Sequence, residues 1–271
     1  MSPISDAEPL IVERSGRVVV LRLNRPHALN ALSPALVDAL IDAVGSAGSD
    51  PTVGAVLLTA AGRSFCAGGD LTAMLGMDVP AFRRYVERLA ELSRRIRRLT
   101  VPTVAALRGH VLAGGFELAI EVDVRVAARD VVFGNPDTRL GGPPTSGMTC
   151  LLPRLIGEAW ARHLLLTSET IDVSVAERIG LVTRVVDGAD LERVALELAA
   201  TIAGQPPLGL RWIRSELADG AEGTFEQALA REIEAAVECF ATPEWQASLR
   251  AFAARRARHR EAGGAGPGRP D

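Results

Sequence analysis

Apolar and polar positions fall into three kinds of run along this chain. Residues 17–24, RVVVLRLN, alternate and are rich in valine, which predicts a strand ending at Asn24-Arg25-Pro26. Residues 53–59, VGAVLLT, are continuously apolar, the pattern of a strand covered on both faces. PTVAALRG and VDVRVAARD read the same way. Between these runs the period lengthens to that of a helix. LVDALIDAV has Ser33 placed to cap it and Pro34 at its first position, and a second helix is expected over 80–98. Strand, helix, strand with short connections requires parallel crossovers, so the expected fold class is α/β.

After residue 150 strand patterns thin out, and VTRVVD at 182–187 is the one late strand candidate. Ser174-x-x-Glu177 and Thr224-x-x-Gln227 have the spacing of capping boxes, and Thr242-Pro243 reads as a cap followed by proline. The organisation expected is a flexible N-terminus at 1–9, a core at 10–200, a helical region at 201–260 and a disordered tail at 261–271, EAGGAGPGRPD. At 271 residues, one domain with an appendage is the natural size reading.

Composition narrows the chemistry mainly by what is missing. All thirty basic residues are arginine, so lysine Schiff-base catalysis and a lysine-bearing phosphate loop are excluded. Three cysteines form no CxxC pair and no metal-ligand spacing, which predicts a reducing, cytoplasmic setting. MSPISDAEP does not read as a signal peptide, and no apolar run reaches membrane-spanning length. Segment 83–98 holds seven arginines, the one feature that invites a nucleic-acid reading. Glu87 and Glu91 interleave with them at helical ion-pair spacing, and the net charge is only −3, so no nucleic-acid or membrane partner is expected.

Two glycine turns carry the positive signal. AGRSFCAGGDL (61–71) and HVLAGGFE (110–117) each follow an apolar strand, where open α/β sheets place ligands. Neither contains GxGxxG. Each offers a backbone N–H that a bulky group can approach, and two such donors would form an oxyanion hole. Glu117 directly follows the second turn and opens an apolar segment, where a carboxylate is costly unless paired or used. Asp137 sits in FGNPDTRLGGPP, twenty residues on. Two carboxylates beside an oxyanion hole suit acid–base work next to a carbonyl. Cys66 lacks a Cys–His signature, and Ser64 and Ser146 lack GxSxG, so Cys66 is expected to pack and Asp70 to brace its turn.

These segments resemble the crotonase (enoyl-CoA hydratase/isomerase) superfamily. AGRSFCAGGDL and GHVLAGGFELAIEVDVRVAA are similar to its two signatures. LNRPHALNAL, VVFGNPDTRLG and AERIGLVTRVV are similar to three further segments, in order. The resemblance implies a spiral of ββα units followed by a helical trimerisation region. It implies an acyl-CoA thioester substrate, no bound cofactor beyond the coenzyme A of that substrate, and a homotrimer or dimer of trimers. By match to the motifs, Gly69 and Gly114 are the oxyanion donors, and Glu117 and Asp137 are the catalytic acids. Ala67, Leu71 and Arg25 fall with the CoA-binding positions. Phe252 and Arg255 match positions that complete a neighbouring subunit's CoA site. Met74, Leu75, Met77 and Val79 are expected on the acyl side.

The implied reaction is hydration of a 2-enoyl-CoA. Two positions depart from the hydratase pattern. Asp137 stands where hydratases carry glutamate, and Pro144-Thr145-Ser146-Gly147-Met148 replaces a Pro-Gly-x-Gly-Gly loop. These departures leave isomerase, decarboxylase and hydrolase chemistry of an acyl-CoA open. RNA binding or non-catalytic CoA binding by the same fold are the rivals outside catalysis.

Overall fold

A computed structural model describes residues 8–219 and 223–261. The flexible N-terminus and the tail expected from the sequence lie largely outside these residues. The chain divides into two compact units after Pro207.

In the first unit, β1 (Leu10–Ser15) and β2 (Val18–Leu23) form an antiparallel hairpin. Then follow α1 (Pro34–Ser49), β3 (Ala55–Ala60), α2 (Leu71–Leu75), α3 (Val79–Arg98), β4 (Thr103–Leu107) and β5 (His110–Leu112). Next come α4 (Gly114–Glu121), β6 (Val124–Ala128), β7 (Val132–Gly134), α5 (Met148–Ile156) and α6 (Glu158–Thr167). The unit ends with β8 (Thr170–Asp172), α7 (Val173–Arg178), β9 (Arg184–Val186) and α8 (Leu191–Ala203). The main sheet has the order β1-β2-β3-β4-β6-β9, parallel from β2 onward. A small second sheet pairs β5 with β7 in parallel and β7 with β8 antiparallel.

Burial is nearly complete in both β2 and β3: β2 buries every residue but Arg22, so it is covered on both faces despite the polar residue in its run. All six residues of β3 are buried, as its unbroken apolar run requires. One face of the main sheet packs on α8 through Leu191, Ala195, Ala199 and Ala203, a four-residue repeat on one side of that helix. The alanines let the helix sit close. A Cβ added at Gly54 would lie 2.8 Å from the Ala203 Cβ. The other face belongs to a larger core holding Leu21, Leu23, Val56, Leu58 and Leu107 with Leu36, Leu40 and Ile41 of α1 and Leu92 and Ile96 of α3.

Several termini follow the sequence. Ser33 accepts from the Leu36 N–H, Thr224 and Gln227 form a reciprocal capping box, and Thr242 Oγ1 accepts from the Trp245 N–H. Ser174 does not cap a helix. Asp172 does, accepting from the Val175 N–H while Ser174 donates to Asp172. Strand β8 ends at that same Asp172, so VTRVVD is one of two late strands, not the single one. The second unit consists of helices α9 (Pro207–Asp219), α10 (Phe225–Phe240) and α11 (Pro243–Glu261). Within it, Glu238 of α10 accepts from Trp212 Nε1–H of α9 at 2.7 Å. No described helix is long and apolar enough to cross a membrane.

Candidate active site

The two glycine turns meet. Segment 65–66 runs alongside 108–112. Phe65 N–H donates to Arg108 O, Cys66 N–H to His110 O, and Leu112 N–H to Cys66 O. The first turn is tied on its other side, where Leu32 N–H donates to Gly68 O and Ala67 N–H to Leu29 O. Buried Asn30 completes the tie. Its Nδ2 donates to Ala61 O and Ser64 O, and its Oδ1 accepts from the Arg25 N–H. The early LNRPHALN segment is therefore scaffolding for the first glycine turn.

This packing brings Gly69 against Gly114. A Cβ added to Gly114 would lie 3.6 Å from the Gly69 nitrogen. Neither amide N–H donates to an acceptor among the described residues. The Gly114 N–H is one of the orphan donors in the first turn of α4, where the helix dipole favours negative charge. It is aimed by Ala113, which adopts φ 46° and ψ −122°, a conformation that costs a residue with a Cβ about 1–3 kcal/mol. Gly115 is required for a different reason. A Cβ there would fall 2.3 Å from the Cys66 carbonyl oxygen, so only glycine lets α4 start this close to the first turn.

Asp70 and Cys66 have the roles expected of them. Asp70 caps α2, accepting from the Ala73 N–H, and pairs with Arg25 at 2.9 Å. Burial pushes the Asp70 carboxyl up, but the Ala73 N–H and the Arg25 guanidinium outweigh it and leave it below its usual value. The Cys66 thiol is fully buried and pushed up to about 12, first by burial and then by the charge of Glu117, against a contact with Gly68. A protonated, inaccessible thiol is no nucleophile.

Glu117 lies in the first turn of α4 and is only 2% exposed. Both carboxylate oxygens are held by one residue. Thr145 donates its N–H to Oε1 at 2.5 Å and its hydroxyl to Oε2 at 2.7 Å. Asp137 begins a 3-10 turn, Asp137–Leu140, and is half-buried. Its backbone N–H donates to Asn135 Oδ1, and Asn135 is itself buried with Nδ2 against Met148 Sδ at 3.1 Å. The Asp137 carboxyl is pushed up to about 6, first by burial and then by the negative charge of Glu117, with Asn135 opposing. Two carboxylates thus share a field but differ in surroundings. Glu117 has two strong donors, and Asp137 has a poorly solvated seat that favours its neutral form.

The other expected site residues are spread more widely. Ala67 and Leu71 flank the first glycine turn, Ala67 half-buried and Leu71 exposed. Arg25 spends Nη1 on Asp70 and on the Ala31 carbonyl at 2.8 Å. Phe252 and Arg255 are exposed on α11, in the second unit. Met74 sits over Gly69, where an added Cβ would come 2.3 Å from its Cε. Met77 is half-buried, while Leu75 and Val79 are exposed. Thr145 and Asn135, which hold the two acids, carry no signal in the sequence that links them to those acids. Among the described residues, no group of three His, Cys, Asp or Glu side chains is arranged to hold a metal.

The chain is similar to known proteins over about nine-tenths of its length. The sequence profile of the enoyl-CoA hydratase/isomerase family matches residues 13–262. A short-chain-enoyl-CoA hydratase of Clostridium acetobutylicum is 36% identical over 248 residues, spanning 91% of this chain and 95% of that protein. A 2,3-dehydroadipyl-CoA hydratase of Escherichia coli is 34% identical over 247 residues, spanning 91% and 96%. Among solved structures, an enoyl-CoA hydratase from Bacillus anthracis superposes with a TM-score of 0.89 at 32% identity, covering 92% of this chain and 97% of that one.

Proposed function

Because the chain belongs to the enoyl-CoA hydratase/isomerase family, with the α/β crotonase fold and its C-terminal helices, we propose that it adds water across the 2,3 double bond of an enoyl-CoA. The observation that carries this reading is the electrostatic coupling of Glu117 with Asp137 in unlike surroundings, with Glu117 one turn along the helix from Gly114, which abuts Gly69.

The thioester oxygen accepts from the N–H groups of Gly69 and Gly114. As negative charge grows on that oxygen, these donors stabilise it. Losing one of them typically costs about 3 kcal/mol of barrier. Glu117 takes a proton from a water as its oxygen bonds to C3. Asp137 gives its proton to C2. The product is a 3-hydroxyacyl-CoA, and return of one proton from Glu117 to Asp137 resets the pair. Atoms balance as enoyl-CoA plus water.

Ala67, Leu71 and Arg25 are assigned to the CoA side of this site, and Phe252 and Arg255 to CoA contacts made with a neighbouring copy. The second unit supports assembly into trimers. Phe225, Leu229, Ile233, Val237 and Phe240 form an exposed apolar stripe along α10. Isomerisation of 3-enoyl-CoA is the second reading, favoured by the short side chain of Asp137. A panel of crotonyl-CoA, longer 2-enoyl-CoAs and 3-enoyl-CoAs separates the two. It should be run with the parent, Glu117→Gln and Asp137→Asn. Hydration lost in both variants supports the two-acid mechanism. Equal hydration by the parent and Glu117→Gln would refute it.

A further inference from the structure

We infer that Thr145 is a positioning residue for catalysis: it clamps both oxygens of Glu117 and thereby fixes that carboxylate as a stationary base. The inference rests on the hydratase reading and deepens it, because it says which of the two acids can move.

The geometry is specific. The donors come from one residue, 28 positions away from Glu117, at 2.5 Å from the backbone N–H and 2.7 Å from the hydroxyl. A carboxylate offers about four acceptor directions, two on each oxygen. Thr145 uses one on each and leaves one on each for water or substrate. Bonds to a charged acceptor are roughly twice as strong as neutral ones. Two on one group also stop rotation about the terminal torsion.

The clamp is itself anchored. Ser146 takes φ 51° and Gly147 φ 76°, so the chain reverses sharply just after Thr145. Ser93 Oγ of α3 lies 3.2 Å from the Ser146 carbonyl oxygen and also contacts Glu121 Oε1. Glu121 is one helical turn beyond Glu117 on α4. Loop 144–147 is therefore held to α4 at Glu117 directly and at Glu121 through Ser93. Among the described residues Asp137 has no matching clamp. Its neighbour Asn135 accepts from its backbone N–H and does not grip both carboxylate oxygens.

A mechanistic choice follows. Isomerisation by a single carboxylate requires it to collect a proton at C2 and deliver it at C4. A carboxylate fixed at both oxygens is poorly suited to that journey. It is well suited to hold one water at C3 while a second acid serves C2. Thr145 thus biases the site toward hydration.

The test compares the parent with Thr145→Val, which keeps shape and N–H but loses the hydroxyl, and with Thr145→Ser, which restores it. The expected result for Thr145→Val is a fall of about 10- to 100-fold in hydration kcat with KM changed less than about threefold. Its ratio of isomerisation to hydration should rise. Thr145→Ser should return to within about threefold of the parent. Unchanged kcat in Thr145→Val, a loss carried only by KM, or Thr145→Ser as poor as Thr145→Val would each overturn the inference. If the parent isomerises but does not hydrate, the hydratase reading falls. The bias toward hydration falls with it, and the clamp itself is then decided by the resonance of the Glu117 carboxyl alone. A measurement independent of turnover completes the design: the 13C carboxyl resonance of Glu117, assigned by its loss in Glu117→Gln. It should move in Thr145→Val and not in Thr145→Ser, and an unmoved resonance in Thr145→Val refutes the clamp whatever the activity.

Discussion

Asp137 gives the sharpest solution prediction, because its seat in the fold sets the pH at which it can act as an acid. Burial, with the charge of Glu117 behind it, pushes its carboxyl up to about 6. The sign is that of a raised acid: the proton needed at C2 is present below that value and lost above it. A one-proton dependence leaves half of the groups protonated at pH 6 and about 1% at pH 8, roughly a 50-fold fall in kcat/KM for hydration. Hydration consumes no net proton, so its equilibrium constant does not vary with pH. Dehydration of the 3-hydroxyacyl-CoA must then show the same falling limb. In Asp137→Asn the shape is kept and the proton is gone, so activity should drop about 100- to 10,000-fold and the limb should vanish. The assay is the loss of the conjugated thioester absorbance, followed from about pH 5.5 to 8.5 in both directions. A flat parent profile over that range refutes the reasoning. So does a limb that survives unchanged in Asp137→Asn.

Two further outcomes are expected. Gly115→Ala drives a Cβ to 2.3 Å from the backbone oxygen of Cys66, so it should destabilise the fold by about 1–3 kcal/mol in denaturant titrations and cost hydration activity as well; a variant as stable and active as the parent would show that α4 tolerates displacement. Cys66→Ala removes a buried thiol pushed up to about 12, so kcat should stay within about threefold of the parent and native Cys66 should resist iodoacetamide; loss of turnover with stability intact would return Cys66 to the chemistry.

Most of the main sheet was legible because its inner strands are rich in valine and other apolar residues, and β3 and β4 are buried along their full length. The edge strand β1, LIVERS, with four exposed residues of six, was not read as a strand. The helical caps at Ser33 and Thr224 were legible because their partners are three residues away. Strands β5, β7 and β8 span three residues each, and β5 and β7 adjoin glycine- and proline-rich turns that draw the eye first, so the second sheet was not seen. Strand β9 is as short but sits inside the longer valine-rich run VTRVVD. At the site, Gly69, Gly114 and Glu117 stood out because glycines after a strand, followed by an acid in an apolar run, break the local pattern. What holds them did not. Thr145 meets Glu117 across 28 residues, and Asn30 meets Ser64 across 34. Polar residues in loops look alike in sequence, and only the folded chain distinguishes a clamp from a solvated turn. The loop departure that cast doubt on hydration, Thr145 for glycine, turned out to be the residue that grips Glu117.

Ala113 places a cost in an instructive part of the energy landscape. Its unfavourable backbone angles are accepted once, when the chain folds, and are carried by every enzyme molecule from then on. In the proposed mechanism the Gly114 N–H therefore faces the thioester oxygen's position before substrate arrives. No dipole has to swing round as the thioester oxygen gains charge, so the reorganisation that water would need in each turnover is absent from the barrier. Stability given up in the resting protein becomes speed in the reacting one.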